Sequence, residues 1–248
     1  MNGRVALVTG GGRGIGREAA LLLAAAGARV MAVARSESEL KNLGLDYVAA
    51  DLGTNEGCAK AVAATEQRLG PVDVLVVNHG IGSAHERLVW EQDPATWRET
   101  MRINLDAPFE LARLTVGGMC RRNYGRLVFT SSTAGEKAER AGSAYTASKH
   151  GVIGLARAVA QDAGPFGVTS NAVLPGWVRT EMAERSARAT AERRKITVEQ
   201  VWAERAAIYP QNRVLEPIEV ARVIAFLCSD AAGGVNGEAI TVALGGIW

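Results

Sequence analysis

Short apolar runs alternate with helix-length segments from one end of this chain to the other, and that alternation leaves few folds open. Arg4–Thr9 (RVALVT), Ala28–Ala34 (ARVMAVA), Asp46–Ala49, Val72–Val77 (VDVLVV), Arg126–Ser131 (RLVFTS), Val168–Leu174 (VTSNAVL) and Ala239–Ala243 read as strands. Between them, Gly14–Ala26, Asn55–Leu69, Tyr145–Asp162, the charged stretch Thr180–Ala207 and Pro217–Ser229 read as helices. A further long helix opens at Asp93-Pro94 and runs towards Arg122, with an interruption near Asn104–Pro108, and Glu37–Leu43 reads as a short one. The apolar runs are near-continuous, the pattern of strands covered on both faces. The expected fold is therefore α/β, a doubly wound parallel sheet of about seven strands with helices on both faces. No linker or composition break divides residues 1–248, so one domain is expected, with 180–209 as a segment set over it.

Composition removes several alternatives. A net charge of +2 gives no basic field for nucleic acid. The longest apolar stretch, Ala19–Ala28, is far short of a membrane span. Cys58, Cys120 and Cys228 are too few and scattered for a disulfide framework, which points to a reducing compartment. His79, His85 and His150 form no HExxH or similar spacing, so no protein-bound catalytic metal is expected. Met1-Asn2-Gly3-Arg4 before a short apolar run is not the pattern of a secretory leader. The expectation is a cytoplasmic protein without a nucleic-acid or membrane partner.

Glycine is the outlier, at 28 residues, and it concentrates where the first strand meets the first helix. Thr9-Gly10-Gly11-Gly12-Arg13-Gly14-Ile15-Gly16 lets the backbone turn tightly and approach a pyrophosphate on the helix N-terminus, as in a Rossmann-type fold. It is no P-loop, because Arg17-Glu18 follows Gly16 where Lys-Ser/Thr would hold phosphate and Mg²⁺. A dinucleotide fold that takes NAD(H) places an acid at the end of the second strand. Here Ala34 ends that strand and Arg35 follows, while Arg13 lies in the turn. Two guanidiniums suit a 2′-phosphate, so NADP(H) is expected over NAD(H).

Ser131-Ser132 ends the fifth strand, and Tyr145 stands thirteen residues beyond Ser132. Lys149 follows Tyr145 at i+4, on the same helix face. A free tyrosine, with a pKa of about 10, is a poor proton donor and acceptor at neutral pH. A neighbouring ammonium lowers that value towards the working range. A serine hydroxyl from the strand end can hold the substrate oxygen.

With these residues in this order, the chain resembles the short-chain dehydrogenase/reductase family over nearly its whole length, and within it the 3-oxoacyl-thioester reductases and related alcohol dehydrogenases. TGGGRGIG, Asp51-Leu52, Asn78-His79-Gly80, Asn104, Ser132, Tyr145-x3-Lys149 and Pro175-Gly176 carry the resemblance. It implies that Ser132 orients the carbonyl, Tyr145 donates its proton, Lys149 binds the nicotinamide ribose and tunes Tyr145, and Asn104 holds a water in the proton relay. It implies that Asp51 and Leu52 meet the adenine and that Asn78 and Gly80 line the adenosine side. Val178 and Thr180, after Pro175-Gly176, would flank the nicotinamide carboxamide. His79 departs from the family, which mostly has alanine there, and reads as a buried, neutral packing residue. His150 reads as structural, off the catalytic face.

The implied activity is hydride transfer between NADP(H) and a ketone or secondary alcohol, a 3-oxoacyl thioester among the candidate substrates. An NAD-dependent hydroxyacid or alcohol dehydrogenase, a transient-cofactor lyase or epimerase, and a non-catalytic NADP-binding regulatory protein are the alternatives. Val152, Leu155, Ala156 and Val159 make one apolar helix face, with Ile153 and Ala160 outside it. That width, with the family's habit, leads to a homo-oligomer, a tetramer. The mixed charges of 180–209 suggest a lid with little apolar anchorage, closing Trp177, Met182 and Trp202 over the substrate.

Overall fold

The computed structural model describes residues 1–82 and 87–246, so His85 lies outside the described residues. Seven parallel strands form one sheet: β1 (Val5–Thr9), β2 (Arg29–Ala34), β3 (Asp46–Ala49), β4 (Val74–Val77), β5 (Gly125–Thr130), β6 (Val168–Pro175) and β7 (Ala239–Val242). Their order is β3-β2-β1-β4-β5-β6-β7. Leu7 pairs with Met31 on one side and Leu75 on the other. The order therefore reverses at β1/β4, where an open α/β sheet leaves a crevice at its carboxyl ends.

The helices are α1 (Gly14–Ala25), α2 (Asn55–Leu69), α3 (Pro94–Met101), α4 (Ala107–Arg121), α5 (Ser143–Ala163), α6 (Glu181–Arg194), α7 (Val198–Ala207) and α8 (Pro217–Leu227). Each strand alternates side chains between two buried layers. Leu7, Met31, Leu75 and Phe129 pack under α2, α4 and α5, while Ala6, Val8, Val74 and Val76 pack under α1 and α8. No helix among the described residues is long and apolar enough to cross a membrane.

Two local readings need correction, and a third becomes specific. The Glu37–Leu43 helix shrinks to a 3-10 turn at Glu37–Glu39, followed by a turn through Gly44 at φ 68. The interruption expected near Asn104–Pro108 is a π-helical turn at Arg102–Asp106, a form that recurs at functional sites. Ile153 and Ala160, taken as outward-facing apolar surface, are buried within the chain at 4% exposure each. They pack inward because α5 lies close against the sheet. The exposed apolar groups in this region are Phe109 on α4 and Phe166 just beyond α5.

The 180–209 segment is also better anchored than its charge pattern suggests. It forms α6 and α7, hinged at Lys195 (φ 54), with a core of its own: Ala183, Ala187, Ala191, Val201, Trp202 and Tyr209. The buried Arg205 guanidinium lies 3.7 Å from the Trp177 ring centre and 4.9 Å from that of Trp202. It also donates to the Ala183 carbonyl at 2.9 Å and to Ser186 Oγ at 3.0 Å. Charged residues here supply packing as well as solvation. Trp202 is consequently a core residue of the hairpin, its Nε1 donating to Glu184 at 2.9 Å, and does not close over the cleft.

Candidate active site

The first turn of α1 is the natural anion cradle. Gly10 turns at φ 62, and a Cβ on Gly16 would overlap the Gly10 carbonyl, so both positions demand glycine. Arg13 stands at the N-cap in extended conformation and makes no capping bond with its side chain. The first amides of α1 thus have no side-chain cap, and their dipole end favours a phosphate. Ile15 packs behind the turn.

Arg13 is not the free cation that sequence implied. Its Nη1 lies 3.1 Å from Glu39 and 2.6 Å from Glu181, the first residue of α6. Neither carboxylate was singled out from sequence; the signal was Glu181 directly after Thr180. Arg35 lies exposed just past β2, and no acid stands at Ala34. Asp51 is exposed beyond β3, its Oδ1 accepting the Gly53 amide at 3.0 Å. Leu52 packs its side chain into the core.

The carboxyl ends of β1, β4 and β5 are tied together beneath the cradle. Asn78 Oδ1 accepts from Thr130 Oγ1 at 3.2 Å, and the Asn78 amide donates to Thr9 Oγ1 at 2.9 Å. Asn78 thus serves as a brace between strands. Pro175 pairs with Val242 at the end of β6, Gly176 donates to the Val242 carbonyl at 3.0 Å, and Val178 is buried. Thr180 caps α6, its Oγ1 accepting the Ala183 amide at 3.2 Å, and its Cγ2 sits against Gly14. The segment after β6 therefore closes onto the glycine turn. Met182 on α6 faces the loop after β4, its Sδ 3.5 Å from where a Cβ on Gly82 would lie.

The candidate catalytic residues come from three elements. Ser132 follows β5, with its Oγ accepting the Ala134 amide at 3.1 Å. Tyr145 and Lys149 lie on the first turns of α5, with Ser132 close enough to bear on the Tyr145 hydroxyl. The π turn carries Asn104, 1% exposed. Asn104 is held by Ile81, whose amide donates to Oδ1 at 2.8 Å and whose carbonyl accepts from Nδ2 at 2.9 Å. Gly80 runs between the pair: a Cβ there would stand 3.1 Å from Asn104 Oδ1 and 3.6 Å from Lys149 Nζ.

The electrostatics differ from the expectation at one point. The ammonium of Lys149 donates to the Thr130 carbonyl at 2.9 Å and lies 5.6 Å from the Tyr145 ring centre. It is therefore drawn to the strand end and does not pull the tyrosine down. Desolvation pushes the Tyr145 hydroxyl up to about 12, against the influence of Ser132. Burial alone brings Lys149 down to about 8. His150 is exposed, its Nδ1 2.9 Å from the Thr146 carbonyl, as expected for a residue off the catalytic face.

Comparison with known proteins agrees with this arrangement. Residues 4–191 match the short chain dehydrogenase family. The chain is 38% identical to the monensin polyketide synthase putative ketoacyl reductase of Streptomyces virginiae, over 96% of this chain and 95% of that protein. It is 37% identical to the acetoacetyl-CoA reductase of Shinella zoogloeoides, over 96% of each. The solved structure of a variant actinorhodin polyketide ketoreductase with NADPH superposes with a TM-score of 0.90 at 34% identity, covering 98% of each chain. With the glycine cradle, the serine, tyrosine and lysine at one strand end and a family match over three-quarters of its length, the chain belongs to the short-chain dehydrogenases, oxidoreductases of carbonyl and alcohol groups.

Proposed function

We propose that this chain reduces a ketone, of the 3-oxoacyl-thioester class, to a secondary alcohol with NADP(H). The observation that carries the reading is the convergence of Ser132, Tyr145 and Lys149 at the carboxyl end of β5, beside a glycine turn whose helix amides carry no side-chain cap. Gly10, Gly14, Gly16 and Arg13 would hold the pyrophosphate and ribose phosphate, Lys149 the nicotinamide ribose, and Val178 and Thr180 the carboxamide. When bound, the dinucleotide supplies the hydride.

The chain's own residues manage the oxygen. Ser132 and Tyr145 bracket one point where a carbonyl oxygen accepts two hydroxyl hydrogen bonds, which stabilise the charge that develops there. Tyr145, neutral up to about 12, is in its proton-bearing form throughout the working range and gives that proton to the oxygen. Lys149, with Asn104 behind it, returns a proton to the tyrosine. The α6–α7 hairpin covers the substrate, with Met182 at the cleft.

The names of the relatives favour acyl thioesters as the first substrates to test. NADPH oxidation is measured against an acetoacetyl thioester, a cyclic ketone and an aryl ketone. Fastest turnover with the thioester is expected; activity on none of the three overturns the reading.

Exposed Phe109 and Phe166, with half-buried Leu155 and Val159, support self-association through α4 and α5, in a tetramer. Sedimentation equilibrium at micromolar concentration is expected to give a mass well above 26.1 kDa. A monomer there removes the oligomer.

A further inference from the structure

Thr9 and His79 join the end of β1 to the segment after β4, and their hydrogen bonds can be assigned by counting protons. Thr9 Oγ1 accepts from two amides, Asn78 at 2.9 Å and His79 at 3.3 Å, which occupies both of its lone pairs. Its own proton has two possible acceptors: the Val76 carbonyl at 3.2 Å and His79 Nδ1 at 2.8 Å. Nδ1 is nearer, and a protonated Nδ1 would find no lone pair left on the hydroxyl. The Thr9 proton therefore goes to Nδ1, and the ring hydrogen sits on Nε2. That nitrogen is fully buried and meets no partner in good geometry among the described residues. The backbone of Ile103, in the π turn, is the polar group that bears on the ring.

The geometry points to His79 as a positioning residue for Asn104 and Lys149, moored to Thr9 on one side and set against the π turn on the other. Its mooring fixes the backbone that continues through Gly80 to Ile81, and Ile81 holds Asn104 through two bonds. Its ring also fills space that water would otherwise take near Lys149. Lys149 on α5 and Asp51 beyond β3 are the charged groups that bear on the ring; Tyr145 is the titratable group facing Lys149 on its own helix. Burial and Lys149 together hold the imidazole down at about 3, so it remains neutral across the working range. This role rests on the reductase reading above and goes beyond it, because the family's usual alanine has neither the ring nor the bond.

Three substitutions separate mooring from filling. His79→Phe keeps volume and loses the bond; it is expected to lower kcat about 10- to 100-fold, the scale set by small misplacements at a reacting centre. Its cofactor KM is expected to stay close to the parent value, and its alkaline limb near 8. His79→Ala is expected to lower kcat similarly and to raise the limb towards the ordinary lysine value of 10.5, as water reaches Lys149. His79→Gln, which can accept from Thr9, is expected to recover most of kcat. In the ligand-free wild type, nitrogen NMR of the imidazole is expected to show a neutral Nε2–H ring with no titration between about pH 5 and 8.

Parental kcat and pH limb in both the Phe and Ala variants, even with a lowered Tm, overturn the proposal, as does an Nδ1–H ring. An active wild type with unaffected variants refutes this role alone. A wild type inert on every ketone refutes the reductase reading, while the NMR result still decides the state of His79.

Discussion

Replacing Tyr145 with phenylalanine is expected to lower kcat for ketone reduction by about 10²–10⁴-fold, the usual contribution of a positioned general acid. The ring remains and only the hydroxyl goes, so binding of NADPH is expected to change little. Single-turnover rates and the cofactor Kd, measured on the same preparation, separate the two. Near-parental turnover would remove Tyr145 from the proton path. The pH profile supplies an independent check. Tyr145 holds its proton to about 12 and contributes no limb near neutrality. Lys149, lowered to about 8, is an ammonium below that value and neutral above it. kcat/KM for reduction is therefore expected to be flat on the acid side and to fall as pH rises through about 8. A profile level to pH 10 would show that the lysine charge is not needed.

Removing the guanidinium at Arg13 is expected to cost NADPH its advantage over NADH by about 10- to 150-fold in kcat/KM, since a hydrogen bond to a charged group contributes about 1.5–3 kcal/mol. The existing partners do not forbid this role. The pairs with Glu39 and Glu181 involve partly exposed side chains, and exposed ion pairs contribute only about 0–1 kcal/mol. A doubly charged phosphate competes well against them. The comparison is the NADPH/NADH ratio in wild type, Arg13→Ala and Arg35→Ala. Equal use of the two cofactors by the wild type would overturn the cofactor assignment.

The sheet and the cradle were legible because they follow from local chemistry. A run such as Val72–Val77 is buried wherever it goes, and a turn that requires Gly10 and Gly16 announces a close backbone approach. Ser132, Tyr145 and Lys149 were legible by spacing, since one strand end and one helix face bring them together. What pairs across the fold was not. Arg13 meets Glu181 only because α6 returns over the first turn, and the bond from Lys149 to the Thr130 carbonyl depends on how α5 docks. Ile153 and Ala160 misled for the same reason: periodicity marks an apolar face but not how deeply a helix is set. Trp202 looked like a substrate contact until its neighbours, Arg179 and Arg205, turned out to enclose it.

The strand order has a consequence for how the chain reaches this state during synthesis. Every neighbouring pair is parallel, so no hairpin can form early, and each pairing must close a loop that spans at least one crossover. β1 has its β2 partner early, but its other edge stays open until Val74 to Val76 emerge from the ribosome. Until then Ala6, Leu7 and Val8 present unpaired backbone on an apolar strand, the kind of edge that recruits other chains. The half-made chain is thus more prone to aggregate than the finished one. Slower translation after residue 77, or a chaperone that shields β1, is therefore expected to raise the yield of folded protein.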